Sequence, residues 1–193
     1  MHNIQNSSSG NGGRLDVVIP CLNEEDVVVE TLTKVCSMAI GLDQWSCRII
    51  IVDDGSTDST VSRVTDFLPP SGISIRLLAL TRNFGHQAAL SAGLEATDAD
   101  AVAIIDADLQ DPPELIPAML ELLLQGHDVV YGKRGVRQGA SWMKKLSYKT
   151  FYRLLRKIST GVEIPLDSGD FRVISRRVRD ELVSMPEKRR FIR

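Results

Sequence analysis

Short apolar runs alternate along the chain with longer segments of helical composition. Five runs are predicted to be strands: 15–20, 47–52, 73–80, 101–105 and 128–131. The segments between them are predicted to be helices, which end near residues 40, 68, 96 and 124. Strands that alternate with helices of this length form a parallel, doubly wound α/β sheet. Because the strand runs are continuously apolar, both faces of the sheet are expected to be covered.

Polar side chains follow four of these strands, at the point where each strand ends. They lie in the segments 20–24, 53–56, 81–83 and 106–110. In an open parallel sheet, ligands bind beyond the carboxyl ends of the strands, so the four segments are expected to meet in one site. The first helix is predicted to be capped by Asn23 and the second by Ser56 or Thr57.

The composition fits one globular domain of 193 residues, 43% of them hydrophobic and 25% charged. Three cysteines without a CxxC pair exclude a disulfide scaffold and are expected to be cytosolic thiols. No run of about 18 apolar residues is present, so no spanning helix is expected within the sequence. Residues 1–14 lack the apolar stretch of a secretory signal and are predicted to form a flexible tail before a domain at 15–193.

The net charge of −2 conceals two oppositely charged parts. Residues 1–132 carry 6 Lys and Arg against 19 Asp and Glu, a net charge of −13. Residues 133–193 carry 17 against 6, a net charge of +11. We interpret 15–132 as the half that binds a metal and a nucleotide, and 133–193 as the half that faces an anionic acceptor and membrane.

Asp106 and Asp108 are the strongest candidates for chemistry. They lie two apart on a predicted extended segment, so their side chains point the same way, with Gln110 next on that side. Such oxygen ligands suit Mg²⁺ or Mn²⁺, which also bind substrate phosphates. No GxGxxG follows the first strand and no GxxxxGK[ST] occurs, which excludes a dinucleotide fingerprint and a P-loop. The alternative is that these carboxylates are solvated residues at a strand end.

Four motifs resemble those of family 2 glycosyltransferases of the GT-A fold. They are VIPCLNEE (18–25), IVDDGSTD (51–58), DADLQDPPE (106–114) and SGDFR (168–172). Within that family the sequence is most similar to polyprenyl-phosphate glycosyltransferases, which include bacterial undecaprenyl-phosphate glucosyl- and aminoarabinosyl-type transferases and dolichol-phosphate mannose synthase. The resemblance covers residues 15–193 and departs from the family at Cys21 and Leu22, where an aromatic residue often precedes Asn-Glu.

The resemblance implies a nucleotide-sugar donor and a role for residues in each motif. Those expected to line the nucleotide pocket or to contact base and ribose are Pro20, Asn23, Glu24, Asp53, Asp54 and Gly55. Arg82, which lies outside the four motifs, is expected to contact the diphosphate on its position after the third strand. Asp106 is expected beside the ribose or sugar, where it organises the metal shell, while Asp108 and Gln110 are expected to bind the metal. For Pro20 and Gly55 the alternative is a role in turn geometry alone.

Basic residues after the fifth predicted strand are expected to bind the phosphate of the acceptor. The resemblance assigns this role to Arg134, with Lys133 and Arg137 beside it. Arg172 is expected either to bind the same phosphate or to pair with Asp170, both residues lying in a predicted loop. Because a phosphate nucleophile is already anionic, Asp170 is expected to orient groups, and it becomes the base only for a sugar hydroxyl.

Two further features leave alternatives open. The segment 142–158 has basic and aromatic residues in an amphipathic pattern, which predicts a C-terminal helix at a membrane interface or an ordinary surface helix. His86, at the start of the third helix, is expected to cap it or to bond locally, with a catalytic role as the alternative.

These inferences predict an inverting, metal-dependent transferase that moves glucose from UDP-glucose to a polyprenyl phosphate at the cytoplasmic face of the cell membrane. The alternatives are mannosyl transfer from GDP-mannose, a soluble saccharide acceptor, and a catalytically silent module on an anionic membrane surface. No nucleic-acid partner is expected, and a homo-oligomer is left open. Because members of this branch continue into transmembrane helices, the sequence is expected to be part of a longer, membrane-anchored protein.

Overall fold

The computed structural model describes residues 13–108, 110–133 and 168–187. Their strands are β1 Arg14–Cys21, β2 Ser46–Asp53, β3 Ser74–Ala79, β4 Ala101–Ile104, β5 Val129–Lys133 and β6 Ser168–Ser175. Their helices are α1 Val28–Ile40, α2 Thr60–Asp66, α3 His86–Glu95, α4 Ile116–Leu124 and α5 Arg176–Ser184, with a 3₁₀ turn at Pro113–Leu115. The predicted alternation of strands and helices up to β5 is confirmed, and β1 begins at Arg14, inside the predicted tail.

The described strands form one mixed sheet in the order β3-β2-β1-β4-β6-β5. β3, β2, β1 and β4 pair in parallel, as predicted. β6 lies between β4 and β5 and runs antiparallel to both. The prediction that Asp170 and Arg172 lie in a loop is wrong, because both belong to β6. This strand begins with Ser-Gly-Asp, which disfavours strands, and it forms because it pairs along both sides.

Two layers of helices cover the sheet, which explains why its central strands are continuously apolar. On one face, Ile49 and Ile51 belong to a core with residues of α1 and α4. On the other face, Ile50 and Val52 belong to a core with residues of α3, and side chains of α5 pack against it. Successive residues of β2 are thus buried on opposite faces of the sheet.

The predicted helix caps are wrong. α1 begins at Val28, and its N-cap residue, Val27, makes no side-chain cap bond. α2 begins at Thr60, after the residues predicted to cap it. Both helices start late because Asn23 and Ser56 take part in contacts between the loops that precede the helices.

Ion pairs close the amino end of the sheet around the buried Asp16. Arg48 on β2 donates from Nε and Nη2 to the two carboxylate oxygens of Asp16, at 3.0 and 2.6 Å. The Thr97 hydroxyl donates to the same carboxylate. Arg48 Nη2 also lies 3.1 Å from Asp98, which pairs with Arg14. Each of these charges has a partner of opposite sign, which is typical of a structural clamp.

The three cysteines are buried free thiols. Burial raises the pKa of Cys36, and it raises the pKa of both Cys21 and Cys47 to about 12. Because the thiolate is the form that attacks or binds metals, the three side chains are inert parts of the core.

The amphipathic helix predicted at 142–158 lies outside the described residues, as do Arg134 and Arg137. Among the residues that the structure describes, no helix has the length and apolar character needed to span a bilayer. The roles predicted for these basic residues therefore stay predictions.

Candidate active site

The predicted segments meet around a cavity of about 280 Å³ at the carboxyl end of the sheet. Five predicted site residues line this cavity: Pro20, Glu24, Asp54, Asp106 and Asp108. They come from the ends of β1, β2 and β4 and the loops that follow, and His86 adds the start of α3. The convergence expected from the sheet topology is therefore present in the structure.

The loop after β1 is tied to the loop after β2 by reciprocal hydrogen bonds. Asn23, which has a positive φ of 55°, accepts from the Thr57 N–H at 2.8 Å and donates its own N–H to the Ser56 hydroxyl at 2.8 Å. The Glu24 N–H donates to the Thr60 hydroxyl at 2.8 Å. Asn23 thus shapes the wall of the cavity, while its contact with a nucleotide stays a prediction.

Two buried aspartates, Asp53 at the end of β2 and Asp54 directly after it, hold the backbone of the neighbouring loops. Asp53 accepts from the N–H groups two and three residues further on, at 3.2 and 3.1 Å. Asp54 accepts from the Phe84 and Gly85 N–H groups, at 2.8 and 2.9 Å. These bonds fix the edge of the cavity, and the predicted contacts of Asp53 and Asp54 with base and ribose stay predictions.

Gly55 occupies a point where the loops after β2 and β3 come very close. Its φ of 79° lies in the left-handed region that favours glycine. A Cβ at this position would lie 2.4 Å from the carbonyl carbon of Arg82. Backbone geometry alone therefore requires glycine here.

Four acidic residues line the cavity: Glu24, Asp54, Asp106 and Asp108. Burial, together with the charge of Asp170, raises the pKa of Asp106. Burial and the charges of Asp108, Asp58 and Asp106 also raise the pKa of Glu24. Because a bound cation would relieve this repulsion, the donor set fits a divalent metal of the Mg²⁺ or Mn²⁺ type.

His86, Asp106 and Asp170 form a cluster that sequence reasoning did not bring together. One potential ligand atom of each lies within 4.8 Å of the others. His86 Nε2 is 2.6 Å from Asp170 Oδ2, a long-range contact in place of the local one expected. Arg172 Nη2 is 3.1 Å from Asp170 Oδ1, so the expected pairing of these two residues is present. The spacing of Asp170 and Arg172 in the sequence could have indicated this pairing, since alternate residues of a strand share a face.

Asp108, Gln110 and Arg82 are exposed. Asp108 accepts the Gln110 N–H at 3.0 Å, a bond that joins two of the residues predicted to bind the metal. The Arg82 guanidinium lies over the Phe84 ring, 4.0 Å from its centroid. Their roles toward metal and diphosphate stay predictions.

The predicted acceptor residues begin at the same edge of the sheet. β5 and β4 are both antiparallel to β6, so they are parallel to each other and their carboxyl ends lie at one edge. Lys133 ends β5 at this edge. The residues that follow, Arg134 and Arg137, lie beyond the described part of the chain.

Residues 16–183 match the family model named Glycosyl transferase family 2. The chain belongs to this family. The predicted family, and with it the glycosyltransferase class of enzyme, is confirmed.

Similar relatives include a bactoprenol glucosyl transferase of Shigella phage SfX, 37% identical over 93% of the chain and 58% of the relative. An undecaprenyl-phosphate 4-deoxy-4-formamido-L-arabinose transferase of Aeromonas hydrophila is 35% identical over 92% of the chain and 54% of the relative. The chain thus spans slightly more than half the length of these curated relatives.

Solved structures confirm the predicted GT-A architecture. The glucosyl-3-phosphoglycerate synthase of Mycobacterium tuberculosis, in complex with Mn²⁺, UDP-glucose and phosphoglyceric acid, matches with a TM-score of 0.60 and 27% identity. That match covers 86% of this chain and 58% of the synthase chain. A mannosyltransferase from Pyrobaculum calidifontis shares the fold, with a TM-score of 0.62 and 24% identity over 91% of this chain and 48% of the other.

Proposed function

We propose that the protein to which this chain belongs transfers a hexose from a nucleotide sugar to a polyprenyl phosphate, with inversion at the anomeric carbon. Glucose from UDP-glucose is the proposed donor, and the cytoplasmic face of the cell membrane is the proposed location. The observation that carries the proposal is the group of carboxylates around the cavity, centred on Asp106 and Asp108. The relatives named for bactoprenol and undecaprenyl-phosphate transfer support the choice of acceptor.

Asp106 and Asp108 are the residues proposed to hold Mg²⁺ or Mn²⁺, with Gln110 as a neutral oxygen ligand. When bound, the metal supplies a Lewis acid that offsets the charge of the departing nucleoside diphosphate. The Mn²⁺ and UDP-glucose of the mycobacterial synthase structure support this assignment. Glu24 and Asp54 line the same cavity and are proposed to border the nucleotide.

The acceptor phosphate is proposed to attack the anomeric carbon from the face opposite the nucleoside diphosphate. Because a phosphate monoester is anionic at neutral pH, the attack needs no strong base. Asp170, bonded to His86 and Arg172, therefore orients groups in the cavity rather than taking a proton. Arg134 and the basic residues beside it are proposed to bind the acceptor phosphate, since a guanidinium matches its geometry.

A soluble acceptor is the second candidate. The observation that favours it is the phosphoglyceric acid held by the mycobacterial synthase. With a hydroxyl acceptor, Asp170 would act as the base, and the basic segment 142–158 would be dispensable for transfer.

Calorimetry with UDP-glucose and GDP-mannose, each with and without Mn²⁺, tests the donor and the metal. We expect UDP-glucose to bind in a Mn²⁺-dependent manner and more tightly than GDP-mannose. Transfer of labelled glucose to undecaprenyl phosphate in detergent then tests the acceptor, with phosphoglyceric acid as the soluble competitor. Binding to anionic vesicles without binding of either nucleotide sugar would instead indicate a catalytically silent membrane module.

A further inference from the structure

Thr31 lies on α1, but its hydroxyl reaches the turn that carries Asp106 and Asp108. Its Oγ1 is 2.7 Å from the carbonyl oxygen of Ala107 and 3.0 Å from that of Val27, one helical turn earlier. Thr31 and Ala107 are both buried, with 1% and 3% of their surface exposed. A hydroxyl has a single proton to donate, and the shorter contact is the one to Ala107.

The Ala107 carbonyl belongs to the peptide group that joins Ala107 to Asp108. Because this carbonyl is buried, it requires a hydrogen-bond donor, and the Thr31 hydroxyl provides one. The orientation of this peptide group sets the direction in which the Asp108 side chain leaves the backbone. The bond therefore acts on the geometry of the predicted metal ligands without touching them.

α1 connects this contact to the other side of the cavity. The Val28 N–H, at the start of α1, donates to the Glu24 carbonyl at 2.9 Å. Glu24 lines the cavity from the loop after β1, whereas Asp106 and Asp108 line it from the end of β4. α1 thus contacts both acidic segments of the cavity, through Val28 at the Glu24 segment and through Thr31 at the Asp106 segment.

We propose that Thr31 is a positioning residue that holds the segment 106–108 in the geometry that binds a divalent cation. This inference rests on the metal-dependent function proposed above. Groups that hold metal ligands in place typically change metal affinity about 10–100-fold when they are removed.

Thr33 provides a matched control on the same helix. Its Oγ1 donates to the Val29 carbonyl at 2.8 Å, four residues earlier, whereas the single Thr31 proton goes to Ala107 and leaves the Val27 carbonyl 3.0 Å away as a secondary contact. Thr33, however, lies on the exposed side of α1. Threonine-to-valine changes at the two positions therefore differ in the contact with Ala107.

The test measures Mn²⁺ binding in the presence of UDP by electron paramagnetic resonance on the full chain. We expect Thr31→Val to weaken Mn²⁺ binding about 10–100-fold. Thr31→Ser, which restores the hydroxyl, and Thr33→Val should both stay within about twofold of the unsubstituted chain. Circular dichroism at the temperature of the assay shows that each variant is folded.

The inference is overturned if Thr31→Val binds Mn²⁺ as tightly as the unsubstituted chain does. It is also overturned if Thr31→Ser binds Mn²⁺ as weakly as Thr31→Val does. If Thr31→Val does not fold, Thr31→Ala takes its place in the test. The inference is then overturned if Thr31→Ala binds Mn²⁺ as tightly as Thr31→Ser does. An unsubstituted chain that binds no Mn²⁺ overturns the proposed metal dependence and this inference with it. If the unsubstituted chain binds Mn²⁺ and Thr31→Val binds it equally well, the role of Thr31 is overturned but the proposed metal dependence is not.

Discussion

The imidazole Nε2 of His86 lies 2.6 Å from Oδ2 of Asp170, and this contact joins the first turn of α3 to β6 beside the cavity. Oδ1 of the same carboxylate is 3.1 Å from Arg172 Nη2. Asp170 is buried, so its carboxylate is held between an imidazole and a guanidinium. A carboxylate held from both sides keeps a defined orientation toward Asp106, its neighbour in the cluster.

His86→Ala and Asp170→Ala are each expected to lower the rate of hexose transfer about 10–100-fold, because each frees the other side chain from its defined orientation. Since both act through one contact, the double variant should be no slower than the slower single variant. Initial rates at saturating donor for the unsubstituted chain and the three variants give the coupling between the two residues.

His127→Ala is the control for this cycle, since His127 lies exposed on the turn before β5. It should leave the transfer rate within about twofold of the unsubstituted rate. Rate losses that multiply in the double variant of His86 and Asp170 would show that the two side chains act separately.

Asp108→Asn is expected to lower the rate of metal-dependent transfer strongly while the fold survives. The side chain is exposed and accepts the Gln110 N–H, a contact that an asparagine oxygen can also accept. Loss of an anionic metal ligand removes several kcal/mol of charge stabilisation, or about 10²–10³-fold in rate. Asp43→Asn, an exposed change of the same charge between α1 and β2, is the control. The measurement is the transfer rate across a Mn²⁺ titration. If Asp108→Asn transfers as fast as the unsubstituted chain does, Asp108 is excluded from the metal site.

The sheet was largely predictable because continuous apolar runs mark strands that are buried on both faces. The starts of α1 and α2 were not predictable in the same way. Asn23 and Ser56 have side chains that cap helices well, yet here they take part in bonds between the two loops. A side-chain oxygen satisfies a backbone N–H donor equally well in a helix cap and in a bond between two loops. The sequence alone therefore does not show which of the two Asn23 and Ser56 make.

The position of the site in the sheet was predictable from the sequence, but most of the contacts between its side chains were not. The ends of parallel strands meet at one edge, which brought Glu24, Asp54 and Asp106 together as expected. The contact between His86 and Asp170 joins residues 84 positions apart, through a strand inserted antiparallel between β4 and β5. Periodicity shows that a segment is extended but not which strands it pairs with, so this contact had to be read from the structure.

Gly55→Ala is expected to destabilise the fold more than Gly72→Ala. Both glycines have positive φ, 79° and 88°, so both changes cost about 1–2 kcal/mol of backbone strain. At Gly72 a Cβ would meet nothing within 4 Å, whereas at Gly55 it would lie 2.4 Å from the Arg82 backbone. The clash should add about 1–3 kcal/mol at Gly55.

Urea unfolding of both variants measures this difference, and binding of UDP-glucose adds a second readout. Gly55→Ala moves the loop that borders the cavity, so it should also weaken donor binding, while Gly72→Ala should not. Equal losses of unfolding free energy in the two variants would contradict the close approach of the loops after β2 and β3.

Arg48→Ala is expected to lower the free energy of unfolding by about 2–3 kcal/mol, because it leaves the buried Asp16 carboxylate without its cation. This loss is smaller than the about 3–5 kcal/mol typical of a fully buried pair, because 31% of the Arg48 side chain is exposed to water. Arg63→Ala, an exposed change of the same charge on α2, should alter stability by less than about 0.5 kcal/mol. Urea unfolding measures both losses.

Since Asp16 and Arg48 lie at the amino end of the sheet, away from the cavity, UDP-glucose should bind folded Arg48→Ala as it binds the unsubstituted chain. Weaker donor binding without loss of stability would instead make this amino-end cluster part of the donor site.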